Sequence, residues 1–342
     1  MIRQTTRGKL LHDLKNRGVT AWILAALLLS FYVVLYMNNS PLDRVAKAIG
    51  LHNKWFIYGS LYTIAIVGGG LYMWKKYGHK RYQVLRIAVV MFVQVVFAFV
   101  IPLMMKAAER PDYYFSYIWP LKIDYFYPST ISYQLKEGLP VSIVFYSLFA
   151  GLILAPVLGI FFGKRWYCGW VCGCGGLANT FGEPWRHLSQ KSHTAWRFEK
   201  WSIHAVLVFA IVTTGLSVAS VLVGSEYREL AKAGNDFREW YGWVVGAALS
   251  GVAGGALYPL GGTRIWCRYF CPMAAMLGLV QKFGRFRIRV KEDMCISCGL
   301  CSKYCEMGID VRAYAQANTS FTRASCVGCG LCSEVCPRGV LR

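Results

Sequence analysis

The chain has 342 residues, of which 56% are hydrophobic and only 16% are charged, against roughly a quarter charged in soluble domains. That composition excludes an ordinary soluble globular protein and points to a membrane. The net charge of +21 comes from Lys and Arg residues that punctuate long apolar runs and form no single basic face, which argues against nucleic acid and for contact with lipid headgroups.

Residues 1–18 form a basic tail, followed by an apolar run over 19–37 that is too long for a signal-peptide core and reads as an anchor. Five more runs of spanning length follow at 55–74, 84–105, 139–162, 201–223 and 240–260. Six spans put both ends on one side. The tails and the alternate connections carry 28 Lys and Arg, and the other three connections carry 10, so the expected topology has both termini in the cytoplasm. Inside the spans, the glycine stretches 68–70 and 251–255 suit close helix packing. The expected divisions are the tail (1–18), three spans with a long periplasmic loop (19–138), three further spans (139–285) and a C-terminal module (286–342). The periplasmic loop, residues 106–138, holds nine aromatics between Tyr113 and Tyr133. It is expected to lie as an interfacial belt, with partner docking or quinone lining as the other readings.

All 13 cysteines lie at or after Cys168, on segments assigned to the cytoplasmic side, where metal ligation is favoured over disulfides. Cys295-x2-Cys298-x2-Cys301-x3-Cys305 is followed by Cys326-x2-Cys329-x2-Cys332-x3-Cys336-Pro337, two copies of the bacterial ferredoxin run. Three thiolates at that spacing wrap one side of a cubane, and the fourth crosses over from the other run. Cluster I is thus expected on Cys295, Cys298, Cys301 and Cys336, and cluster II on Cys326, Cys329, Cys332 and Cys305. Zinc uses paired knuckles, not four cysteines in a repeated run. Glu306 stands where the second run has Pro337, and its charge is expected to lower the potential of the adjoining cluster.

A second repeat is Gly163-x-Arg165-x-x-Cys168-x3-Cys172, which recurs as Gly262-x-Arg264-x-x-Cys267-x3-Cys271. If each motif is helical, its cysteines share one face, so four thiols meet at the cytoplasmic membrane edge, with Arg165 and Arg264 to keep them ionised. Three readings stand for them: a third metal or iron-sulfur centre, redox-active thiols, or packing. Cys174 is an additional cysteine with no assigned role. Glu183, Trp185, Arg186 and His187 are candidates for a quinone headgroup contact, with interfacial anchoring as the plainer reading. His204 is the only histidine in a span and no C-x-x-C-H occurs, so haem is not expected. No covalent flavin is expected either.

These motifs resemble the NapH-type membrane ferredoxins, a wider group that includes NapH, NosR and MauN proteins and CcoG-type assembly proteins. The resemblance covers residues 139–342. Cys271-Pro272 keeps the group's usual Cys-x3-Cys-Pro, whereas Cys172 is followed by Gly173, and the first two spans are additional to the usual core. The resemblance implies a multi-pass bacterial inner-membrane protein. Its fold would be an all-α transmembrane bundle of six helices joined to a small α+β ferredoxin-like domain carrying two [4Fe-4S] clusters. It also implies electron relay between the quinone pool or a cytoplasmic donor and a membrane or periplasmic redox partner, with quinol oxidation the one bond chemistry in view. The alternatives are a copper reductase or maturation factor for a metalloenzyme, and a redox sensor.

Overall fold

The computed structural model describes residues 17–51, 53–163, 165–222 and 228–342, apart from the side chains of Arg165 and Arg228. Most of the expected basic tail, the end of the fifth span at Val223, and the role expected of the Arg165 side chain lie outside the described residues.

Among the described residues, five helices are long and apolar enough to cross a bilayer: α1 (Val19–Tyr36), α2 (Lys54–Tyr77), α3 (Arg81–Ala107), α4 (Val141–Phe162) and α5 (His193–Leu222). The sixth expected span, 240–260, is not one of these five: α6 (Arg228–Tyr241) precedes it and runs on into a wider π-helical coil over Gly242–Ala256. Small residues let α1 lie against that coil. A Cβ on Gly251 would stand 2.7 Å from the Tyr36 ring, and one on Gly255 would collide with the Tyr32 hydroxyl. Gly69 in α2 likewise admits the backbone at Thr180 and Phe181.

The apolar runs before the two Cys-x3-Cys motifs each end at a glycine with positive φ, 70° at Gly163 and 89° at Gly262, a region that side chains disfavour. The chain then turns back into the bundle. One arm consists of Arg165–Trp170 and Gly173–Asn179, the other of Trp266–Phe270 and α7 (Pro272–Val280). Trp166 Nε1 donates to the Ala155 carbonyl of α4 at 3.2 Å, and a Cβ on Gly173 would lie 3.4 Å from Gln94 Oε1. Gln94 is about 20 Å along α3 from Arg81, half of that helix's length. The motifs therefore lie inside the bundle and not at its edge, because surrounding protein can satisfy an irregular backbone at that depth.

Neither motif is a single helix, contrary to expectation. Cys172 and Cys271 adopt extended ψ values of 124° and 115°, and each caps the start of the next helix. Pro272 disfavours helix at the residue before it, and Cys271 Sγ accepts from the Ala274 N–H at 3.4 Å.

The aromatic connection 106–138 is not an interfacial belt. It folds inward and buries Tyr113, Trp119, Tyr125 and Tyr127. Tyr113 stacks on Tyr125 with centroids 4.5 Å apart, and Trp119 Nε1 donates to Thr214 Oγ1 of α5 at 3.3 Å. The Tyr167 hydroxyl, beside Cys168, donates to the Ser116 carbonyl at 2.9 Å. This loop and the cysteine arms thus enter from opposite ends and meet. Removing so much aromatic surface from water drives the inward fold.

In the C-terminal module the expected sheet is reduced, among the described residues, to two isolated antiparallel bridges, Ile288 with Phe321 and Val290 with Leu341. The cysteine loops and the short helices Leu300–Lys303, Val311–Gln316 and Leu331–Glu334 leave too few consecutive residues for a ladder.

Candidate iron-sulfur centres and the buried charge network

The two ferredoxin runs fold alike. Gly299 and Gly330 take left-handed conformations, both with φ 78°, immediately before their short helices. The Ile309 N–H donates to Cys305 Sγ and the Val340 N–H to Cys336 Sγ, both at 3.4 Å. Cys295, Cys298 and Cys301 line one hollow together with Cys336 from the other run. Cys332 lies close enough to Cys329, Cys326, Cys305 and Cys301 for their charges to interact. The first expected crossover set thus shares one hollow, while the surroundings of Cys332 include cysteines of both sets. Burial pushes the Cys301 thiol up to about 11 and the Cys332 thiol well above its ordinary value, so each needs a bound metal to hold its thiolate. Among the described residues, no three His, Cys, Asp or Glu side chains converge on a single-ion position.

Cys168, Cys172, Cys267 and Cys271 are all buried and belong to one apolar core cluster, which also contains Trp119 and Ile118 from the inward loop. Cys174 hydrogen-bonds to Cys172. Gly175 packs directly on the Cys168 carbonyl, leaving no room for a Cβ.

Between the cysteine arms and the ferredoxin module lies a buried charge network. Arg86, Arg186 and Arg264 are each 1% exposed. Glu306 Oε1 accepts from Arg264 Nη2 at 2.9 Å, and its Oε2 lies 3.0 Å from Arg186 Nη1. Arg186 Nε donates to Glu183 Oε2 at 2.6 Å. Glu183 Oε1 accepts from Lys76 Nζ at 2.8 Å and from the Tyr77 hydroxyl at 2.7 Å. Asn179 Oδ1 accepts from Arg264 at 2.8 Å and from Arg86 at 3.1 Å. Burial alone would raise both carboxyls, but their arginine partners outweigh it and hold Glu183 and Glu306 below the usual carboxylate range.

The arginines also reach sulfur. Arg186 Nη1 is 4.0 Å from Cys329 Sγ, and Arg264 Nη1 is 3.7 Å from Cys267 Sγ. Three buried arginines face two buried carboxylates, and Arg86 Nε, Arg186 Nη2 and Arg264 Nε find no protein partner. Spare cationic donors beside cysteine sulfurs suit anionic iron-sulfur clusters.

Arg264 lies beside the Cys267 thiol, but burial outweighs the guanidinium and pushes that thiol above its ordinary value, so the arginine does not by itself keep it ionised as expected. Of the quinone candidates, Glu183 and Arg186 are consumed by ion pairs with no open face, while Trp185 is half-buried and His187 exposed. Sequence reasoning missed Arg86, Gln94 and Asn179. Arg86 and Gln94 carried a usable signal, since polar side chains within an apolar run mark function or partnership.

On the far side of the cysteine arms lies a cavity of about 630 Å³, lined by Tyr58, Tyr62, Gln94 and Tyr117, with Asp112 and Lys122 among its other walls. Gln94 is 5% exposed, and its Oε1 has no hydrogen-bond partner.

The family model described as 4Fe-4S dicluster domain matches residues 288–342. A second, described as 4Fe-4S binding domain, matches twice, at 144–192 and 241–291, once over each Cys-x3-Cys repeat. The chain is 31% identical over 160 residues to the uncharacterized protein MJ0749 of Methanocaldococcus jannaschii, covering 46% of this chain and 58% of that protein. It is 43% identical over 54 residues to the putative electron transport protein YccM of Escherichia coli, covering 16% and 15%. It is 28% identical over 156 residues to the methylamine utilization ferredoxin-type protein MauN of Methylorubrum extorquens, covering 45% and 52%. The matches thus span at most about three fifths of these relatives' own lengths. No solved structure matches. The paired ferredoxin runs, the repeated Cys-x3-Cys arms between apolar helices and these similarities support a membrane ferredoxin family of the NapH, NosR and MauN type for this chain.

Proposed function

We propose that this chain is an iron-sulfur electron carrier of a bacterial inner membrane, with residues 286–342 forming a cytoplasmic ferredoxin module. Cluster I is held by Cys295, Cys298, Cys301 and Cys336, and cluster II by Cys326, Cys329, Cys332 and Cys305. A third centre is held by Cys168, Cys172, Cys267 and Cys271. Bound there, the clusters supply one-electron transfer with no bond made or broken. The observation that carries this reading is the hollow walled by three cysteines of one run and the fourth of the other.

The protein's own residues do the rest. The backbone N–H groups of Ile309 and Val340 donate to ligand sulfurs, and the buried arginines balance thiolate charge. The cysteine arms bring sulfur to about half the depth of α3, which shortens the route between the ferredoxin module and a partner in or beyond the membrane. The lipophilic partner fits the cavity of about 630 Å³, where aromatic walls suit a quinone ring and the unpartnered Gln94 Oε1 accepts from a quinol hydroxyl. A cytoplasmic donor would dock on the ferredoxin module.

Iron and acid-labile sulfide, measured on the anaerobically purified chain with EPR, test this. Two cubanes require about eight irons per chain, and a third centre raises that figure in wild type and not in C168S/C267S. Fewer than about four irons refutes the reading. Soluble quinol is expected to reduce the EPR-visible clusters; no response to quinol, together with no oxidation of the reduced protein by quinone, removes the quinone arm.

A further inference from the structure

The two centres of cysteines are joined by a short polar chain: Cys329 Sγ, Arg186, Glu306, Arg264, Cys267 Sγ. The sulfur contacts are 4.0 and 3.7 Å, and the carboxylate contacts are 3.0 and 2.9 Å. Among the described residues, Glu306 is the only carboxylate paired with both arginines. It occupies the position after the fourth cysteine that Pro337 occupies in the second run, where proline offers neither charge nor reach.

We propose that Glu306 is a positioning residue that couples the ferredoxin sulfurs electrostatically to the buried Cys-x3-Cys sulfurs. This rests on the reading that Cys329 ligates an iron-sulfur cluster. Each arginine divides its charge between a sulfur and the shared carboxylate. Negative charge gained at one sulfur draws its arginine, which leaves Glu306 to act more fully on the other arginine and weakens that arginine's support for its own sulfur. Burial keeps these interactions strong because little water screens them. Coupling of this kind is reciprocal between the two ends.

The decisive comparison is an EPR-monitored redox titration of the anaerobic full chain, with iron counted per chain, for wild type, E306Q, E306D and R264Q. E306Q removes a negative charge, so the ferredoxin-cluster potentials are expected to rise with iron retained. R264Q is the more telling variant, because Arg264 hydrogen-bonds to Cys267 and to no ferredoxin cysteine. It leaves Glu306 less compensated, so the ferredoxin potentials are expected to fall. E306D keeps the charge and is expected to stay near wild type.

Unchanged ferredoxin potentials in R264Q, or an E306D shift as large as that of E306Q, would overturn the proposal. If E306Q loses iron, R264Q and E306D decide by the same criteria. Wild-type protein without clusters would defeat the electron-carrier reading itself, whereas normal wild-type titration with unresponsive variants would defeat only the coupling.

Discussion

Glu183→Gln is expected to loosen the segment Glu183–Leu188 from α2, whose Lys76 and Tyr77 hold it there. Three donors converge on this carboxylate, Lys76 Nζ at 2.8 Å, the Tyr77 hydroxyl at 2.7 Å and Arg186 Nε at 2.6 Å, and its side chain is 1% exposed. Glutamine keeps the shape, removes the charge and turns an amide donor toward existing donors. Removing one partner of a buried pair typically costs 3–5 kcal/mol. Arg186 retains Glu306 here, so the expected loss is at the lower end, about 3 kcal/mol, or more than a hundredfold in the population of the undocked state. Native-state hydrogen exchange across residues 183–188 and the end of α2 reads that population directly. A change below about 0.5 kcal/mol, the size of an ordinary surface substitution, would refute the account, as would an equal effect from Tyr77→Phe.

Four other outcomes follow from the same geometry. Because the Glu183 carboxyl is held below its usual range, its contribution to stability is present above the unfolded pKa of about 4.3 and lost as pH falls through the lower folded value; acid titration of thermal midpoints should show this slope in wild type and not in E183Q. Gly175→Ala forces a Cβ onto the Cys168 carbonyl and should cost about 1–3 kcal/mol, read as a lower thermal midpoint in detergent. Cys336→Ser should remove about four irons per chain, and losing fewer than two would detach Cys336 from cluster I. Trp119→Phe deletes the bond to Thr214 and leaves that hydroxyl its own bond to the Ala210 carbonyl; the expected loss is about 1 kcal/mol, measured by thermal unfolding.

The ferredoxin runs were legible because cysteine spacing is itself the constraint: three thiolates from one loop reach one cluster, and the geometry survives any surrounding fold. The spans were legible for a similar reason, since a bilayer requires long apolar helices. The depth of the Cys-x3-Cys arms was not. A glycine after an apolar run reads as an exit from the membrane, and only contacts such as Trp166 with Ala155 reveal that the chain turns inward. The aromatic loop misled in the same way, because interfacial and buried aromatics share a composition.

Glu306 shows the limit most clearly. Its position after Cys305 was visible as a departure from the repeat, and its charge as a local influence on one cluster. Its second partner, Arg264, is 42 residues away, and the arginine on its other side comes from a third segment. What the sequence by itself determined, then, was membrane insertion, the internal repeats and the cysteine chemistry, all set by local spacing and apolar length. The tertiary structure alone decided which buried charges meet, how deep the thiols lie and which aromatics line a cavity, because those depend on residues brought together from distant parts of the chain.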